Sequence, residues 1–138
     1  MDSLTELLRT SHQGVLVTLK RDGRPQLSNV GYYFDGEIIR ISVTDGRAKT
    51  KNLRRDPRAS FYVNSPGFRA YAVAEGTATL SEVATDPNDA AADELVQTYR
   101  EVAGEHPDWD EYRAAMVADS RLVVRIPVDR VYGLDMTA

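Results

Sequence analysis

Two Asp-Gly dipeptides, Asp22-Gly23 and Asp35-Gly36, limit the folds open to this chain more than any other feature, because each separates apolar, β-branched runs. Asp-Gly tolerates the positive φ angles of a tight hairpin turn, so the strands flanking it run antiparallel. "GVLVTLK" (14–20), "PQLSNVGYYF" (25–34) and "EIIRISVT" (37–44) are accordingly expected to form a three-stranded meander. Two further strands are expected at "RASFYVN" (58–64) and "FRAYAVAEGTATLSEV" (68–83), the latter bending at Gly76, and a sixth at 120–135, broken by Pro127. A capping-box pattern at Ser3 and Glu6 opens a short helix. Residues 87–119 read as two helices, separated at Gly104. Hairpins that come first and helices inserted late do not make a repeating βαβ pattern, which excludes a doubly wound parallel sheet. The expectation is a mainly β fold with α elements: a six-stranded antiparallel barrel flanked by helices, in one domain over residues 1–138.

Between the third and fourth strands lies "GRAKTKNLRRDPR" (46–58), a helical stretch that ends at Pro57. It holds six Lys and Arg residues and one acid. The whole chain has 17 Lys plus Arg against 21 Asp plus Glu, so the rest of the molecule is strongly acidic. Such a run is either a solvated helix face or a site for a phosphate or carboxylate. Arg47 and Lys49 fall at the strand-to-helix transition, where unpaired amides already favour an anion, and Thr50 and Asn52 add neutral donors.

Other chemistry is thin. The chain has no cysteine, which excludes disulfides and thiolate chemistry and points to a reducing cytoplasm. His12 and His106 are the only histidines, and neither has a second ligand at metal spacing. Nucleophile-elbow, dinucleotide and phosphate-loop motifs are absent. Nucleic acid is not an expected partner of so acidic a chain, and no stretch is long and apolar enough to span a membrane. Catalysis by such a chain would be carried by a bound organic cofactor.

The ordered combination of "GVLVTLKRDGRPQLSNV", "FDGEIIRISV", "GRAKTKNLRRDPRASFYV", "YAVAEGTATL", "AGEHPDWDEYRAAM" and "VVRIPVDRVYGL" resembles the pyridoxamine-5′-phosphate-oxidase-like split-barrel family of flavin- and deazaflavin-binding proteins. It looks closest to the branch that uses coenzyme F420. The resemblance implies a homodimeric split barrel with the cofactor at the dimer interface. It implies that Arg47 and Lys49 grip the cofactor phosphate with support from Thr50 and Asn52. Ser42 and Val43 would pass their backbone along the ring or ribityl chain, and Gln26, Ser28 and Asn29 would face the ring. Phe68 or Tyr71 of the other subunit would close the site, although "SPGFRAY" departs from the Trp-bearing loop of nearer relatives. Arg130 and Tyr132 would be further contacts. Lys51, Arg54, Arg55 and Arg58 would suit the oligoglutamate tail that F420 carries and flavin mononucleotide (FMN) lacks. The implied activity is F420-dependent reduction of a small conjugated or quinone-like substrate. The alternatives are an FMN-binding oxidase or flavin reductase, and a non-enzymatic cofactor carrier. True pyridoxamine-phosphate oxidation is disfavoured, because the expected substrate-phosphate residues are not found near the C-terminus.

Overall fold

The computed structural model describes residues 2–137. Helix α1 (Ser3–Thr10) is followed by β1 (Gln13–Leu19), β2 (Pro25–Gly31), β3 (Tyr33–Phe34) and β4 (Ile38–Thr44). Then come α2 (Ala48–Arg55), β5 (Arg58–Asn64), β6 (Ala70–Thr77) and β7 (Thr79–Leu80), with α3 (Ala90–Ala103), α4 (Trp109–Ala118) and β8 (Arg121–Asp135) completing the chain. All strand pairs are antiparallel, in the order β2-β1-β5-β6-β8-β4-β3, with β7 on the free side of β8.

Six strands were expected and eight are found, because two long runs are interrupted. Tyr32 leaves the ladder between β2 and β3: its side chain is fully buried and its hydroxyl donates to Leu8 O at 2.6 Å. Ala78 separates β6 from β7, its amide donating to Pro57 O. The α1 cap is also not the expected one. Asp2, not Ser3, accepts from the Thr5 amide at 2.8 Å, satisfying one of the helix's orphan donors. Likewise α3 begins at Ala90 with Asp89 as its cap, rather than at the Asp86-Pro87 pair.

Period-two alternation turns Leu16, Phe61, Ala72, Ala74, Ile39, Ile41, Val43, Leu122, Val124 and Ile126 to the inner face of a curled half-barrel. Leu8 of α1 fills it from the concave side. Burying Phe61 alone stabilises the fold by about 2 kcal/mol, and Gly14 leaves the space its ring occupies: a Cβ there would lie 2.6 Å from Phe61. On the opposite face of β4 and β8, α3 and α4 pack around Val123 through Leu95, Val96, Tyr112 and Met116. Glu94 of α3 bridges Arg125 of β8 and Arg40 of β4, pinning the helices to that face.

Pro127 does not break β8. Residues before it pair with β4 and residues after it pair with β6, so one strand serves both halves of the sheet. The crossover uses a register shift between Glu75 and Gly76, where a Cβ on Gly76 would stand 2.1 Å from Pro127 O. No side chain fits there. Gly76→Ala is therefore expected to lose about 2–4 kcal/mol in urea denaturation. Gly67→Ala, where a Cβ would meet nothing within 4 Å, is expected to stay near wild type; equal stability of the two variants would contradict the assigned crossover.

Candidate functional site

Helix α2 crosses from the end of β4 to the end of β1. Its buried residues are Thr50, Asn52 and Leu53. Thr50 Oγ1 donates to Thr44 O at 2.8 Å, and Asn52 Nδ2 donates to the buried Thr18 Oγ1 at 3.1 Å. Arg55 spans Asn52 Oδ1 and Leu19 O. The sequence reading placed Thr50 and Asn52 beside a phosphate. Here their side chains turn inward and dock the helix, a consequence of the 3.6-residue period that puts 50 and 53 on its buried stripe.

The remaining cations divide into two sets. Arg54 pairs with Asp45 at 2.6 Å and Arg58 with Asp56 at 2.7 Å. Asp56 is drawn down to about 2, first by the Arg58 hydrogen bond. With Arg55 also committed, only Lys51 of the four proposed tail contacts keeps no protein partner among the described residues. It lines an open groove of about 450 Å³ with Lys20 and Arg21 of the β1–β2 turn.

Arg47 and Lys49 form the second set. Arg47 is the N-cap residue of α2 and makes no side-chain cap bond. Neither side chain has an acidic partner within 4 Å among the described residues. Lys49 is held below its ordinary value of 10.5 by burial first, then by the charges of Arg47 and Arg121. Arg121 is the residue that sequence reasoning missed. It opens β8 opposite Thr44, and its Nη1 donates to Ser42 Oγ at 3.4 Å. Nothing local marks it, since it is distant in sequence and only strand pairing brings it to the basic segment.

The other expected contacts are placed by strand alternation. Ser42 lies on the outer face of β4 and Val43 is fully buried in the core. β8 pairs along the whole of β4, whereas β3 reaches only Ile39 and Arg40 on the other edge. Residues 41–44 therefore present a strand edge without a ladder partner, and β2 also comes close to β4. Gln26 and Ser28 are half-buried on the β2 face shared with Val30, which packs on the core, while Asn29 points the opposite way. Asn29 instead lines an open cleft of about 1070 Å³ with His12, Gln13, Tyr62 and Asn64. Phe68 lies in the turn after β5 with φ 61° and 77% exposure, beside Tyr71, Leu134 and Met136. The chain thus gathers Ser42, Arg47, Lys49 and Arg121 at one end of α2, and leaves Asn29 on the outward sheet face and Phe68 exposed in the turn after β5.

A family model described as pyridoxamine 5′-phosphate oxidase matches residues 1–135. The chain belongs to that family. Solved structures agree on the fold. An F420 reductase superposes with a TM-score of 0.71 at 22% identity, over 96% of this chain and 98% of its own. A conserved hypothetical protein of Mycobacterium tuberculosis gives 0.74 at 25% identity, covering 98% and 85%. A heme binding protein of Mycobacterium smegmatis gives 0.70 at 23% identity, over all of this chain and 57% of that one. The family fold binds flavins or F420 and includes oxidoreductases, and the unpaired cations at α2 fit the phosphate that such cofactors carry. No helix is long and apolar enough to cross a membrane among the described residues, and no cluster of potential metal ligands is found among them.

The like-charge cluster has a cost that can be measured. A lysine with a lowered folded pKa holds its proton less tightly folded than unfolded. It therefore destabilises the fold below that pKa, and the effect disappears as pH rises through it toward 10.5. In phosphate-free buffer at neutral pH, Lys49→Met is expected to melt above wild type by no more than about 4 °C. The difference should narrow at alkaline pH; a lower midpoint for the variant at neutral pH would contradict the cause assigned to Lys49.

Proposed function

We propose that this protein is an F420-dependent oxidoreductase that reduces a small conjugated or quinone-like substrate. The observation that carries the reading is the pair Arg47 and Lys49, left without carboxylate partners at the start of α2 in an otherwise acidic chain. A fork-shaped guanidinium and a compact ammonium at a helix start suit a phosphate. When bound, a deazaflavin supplies hydride transfer, because carbon replaces the central ring nitrogen of a flavin.

The chain's own residues bind and orient. Arg47 and Lys49 anchor the phosphate, the open 41–44 edge of β4 offers backbone groups along the seam with β2, and Gln26 and Ser28 supply polar contacts from the facing strand. Holding the cofactor ring rigidly lets an acceptor approach to about 3–3.5 Å, the separation that hydride transfer needs. Asn29 and Phe68 face outward and act from a second copy of the chain. Support for a homodimer comes from that same face, where Leu27 is 61%, Tyr132 42% and Leu134 53% exposed. F420 over FMN is favoured by the groove of Lys20, Arg21 and Lys51, where cations outnumber the one acid, Asp22, and suit a chain of carboxylates. The FMN reading is favoured by the carboxylate-free cation cluster itself, which also suits a doubly charged terminal phosphate.

Fluorescence titration of the purified protein with F420 and with FMN separates these readings. Micromolar F420 binding is expected, tighter than FMN and weakened about tenfold or more by Lys49→Ala. Tighter FMN binding would replace F420 with flavin, and binding of neither would overturn the cofactor assignment.

A further inference from the structure

Arg121 is the one side chain whose hydrogen bonding is left incomplete in the interior: its Nε is buried and has no partner among the described residues. A buried, unsatisfied donor on a charged group costs free energy unless something else completes it. No carboxylate lies within 4 Å of it among the described residues. The side chain sits between Ser42 of β4, which takes one weak bond from Nη1, and Tyr112 of α4, whose phenol is pushed up to about 12 by burial while the Arg121 charge pulls it the other way. The Tyr112 hydroxyl is spent on Leu95 O.

The backbone fixes this cation beside the other two. Ser120 turns the chain out of α4 at φ 52°, and its carbonyl accepts from the Asp45 amide at 2.9 Å. Thr44 pairs with Arg121 in the β4–β8 ladder. The loop that leads into Arg47 and Lys49 is therefore tied on both strands to the residue pair 120–121. Three positive side chains converge with no carboxylate paired to any of them among the described residues, Asp45 in the same loop being taken by Arg54, and Arg47 and Arg121 repel Lys49 until an anion is present.

We propose that Arg121 is a phosphate-binding residue, the third cation of the site that Arg47 and Lys49 begin. Its natural ligand is the phosphate of the cofactor, so that part of the inference rests on the function proposed above. The geometry also gives the late helical insert a purpose. α4 leads into Ser120 and carries Tyr112, whose phenol feels the Arg121 charge, so the insert delivers the guanidinium to Ser42.

The test has two arms. In the first, thermal melting of wild type, Arg121→Gln and Arg121→Lys is followed in inorganic phosphate and in chloride at equal ionic strength. Phosphate is expected to raise the wild-type midpoint, to act partially on Arg121→Lys and not on Arg121→Gln. An equal phosphate shift in wild type and Arg121→Gln, or none in wild type, overturns the proposal whatever cofactor binds. In the second arm, each protein is titrated with F420 and with its ribityl deazaflavin core, which ends before the phosphate. Arg121→Gln should lose F420 affinity by about tenfold or more and bind the phosphate-free core as wild type does. Equal loss for both would make Arg121 a packing residue and contradict the inference. If wild type binds neither F420 nor FMN, the cofactor reading fails, and the phosphate arm still decides Arg121.

Discussion

The close approach of Gly76 to the Pro127 carbonyl governs this architecture, because it allows one strand to belong to two halves of a curled sheet. Before Pro127, β8 lies between β4 and β7; after it, β8 lies against β6. Proline suits the change of partner, since it has no amide to leave unpaired where one ladder ends and the other begins. The curl that results shuts Phe61, Tyr32 and Leu8 into one core. It also leaves β4 with an open edge and brings β2 up to face it. The first residue of the same strand, Arg121, arrives opposite Thr44 as a direct consequence of register.

Electrostatics then separates a structural from a functional use of the same residue type. Arg54, Arg55 and Arg58 are each bonded within the protein, and Glu94 does the same for Arg40 and Arg125. Arg47, Lys49 and Arg121 have no carboxylate within 4 Å among the described residues, and the Arg121 side chain bonds only the Ser42 hydroxyl. A fold selected for stability alone would pair a carboxylate with them, as Asp45 and Asp56 at the two ends of α2 do for Arg54 and Arg58. Leaving the cluster unneutralised costs stability in the free protein, and the proposed phosphate would complete its charge, a common way for binding sites to depart from the local rules that the rest of a fold obeys.

Much of the fold was legible in the chain. The Asp-Gly turns, the period-two runs and Gly104 gave two hairpins, the late helices and the antiparallel pairing, because those signals are local. The expected three-stranded meander does not form, since residues 25–34 divide into β2, which pairs with β1, and β3, which pairs with β4 at the other end of the strand order. Where a long-range contact competes, the local reading of strand extent failed: Tyr32 sits in a continuous β-like run, yet its burial against Leu8 and Phe61 cuts the run in two. The inward turn of Thr50 and Asn52 comes from helical period, which composition alone does not carry. Asn29 follows Ser28 in sequence and so must face away from it in a strand. Arg121 had no local signal at all; a lone arginine at the start of a strand becomes informative only once pairing sets it beside Ser42.

The account stands on the claim that the start of α2 and the start of β8 form one phosphate site. The most direct measurement is a crystal structure of the protein with F420 or FMN, reading the position of the phosphorus atom. The account predicts phosphate oxygens within hydrogen-bond distance of Arg47, Lys49 and Arg121, with the ring running along the seam between β2 and β4. A phosphate seated in the Lys20, Arg21 and Lys51 groove, or in the cleft beside Asn29 and Tyr62, would contradict it.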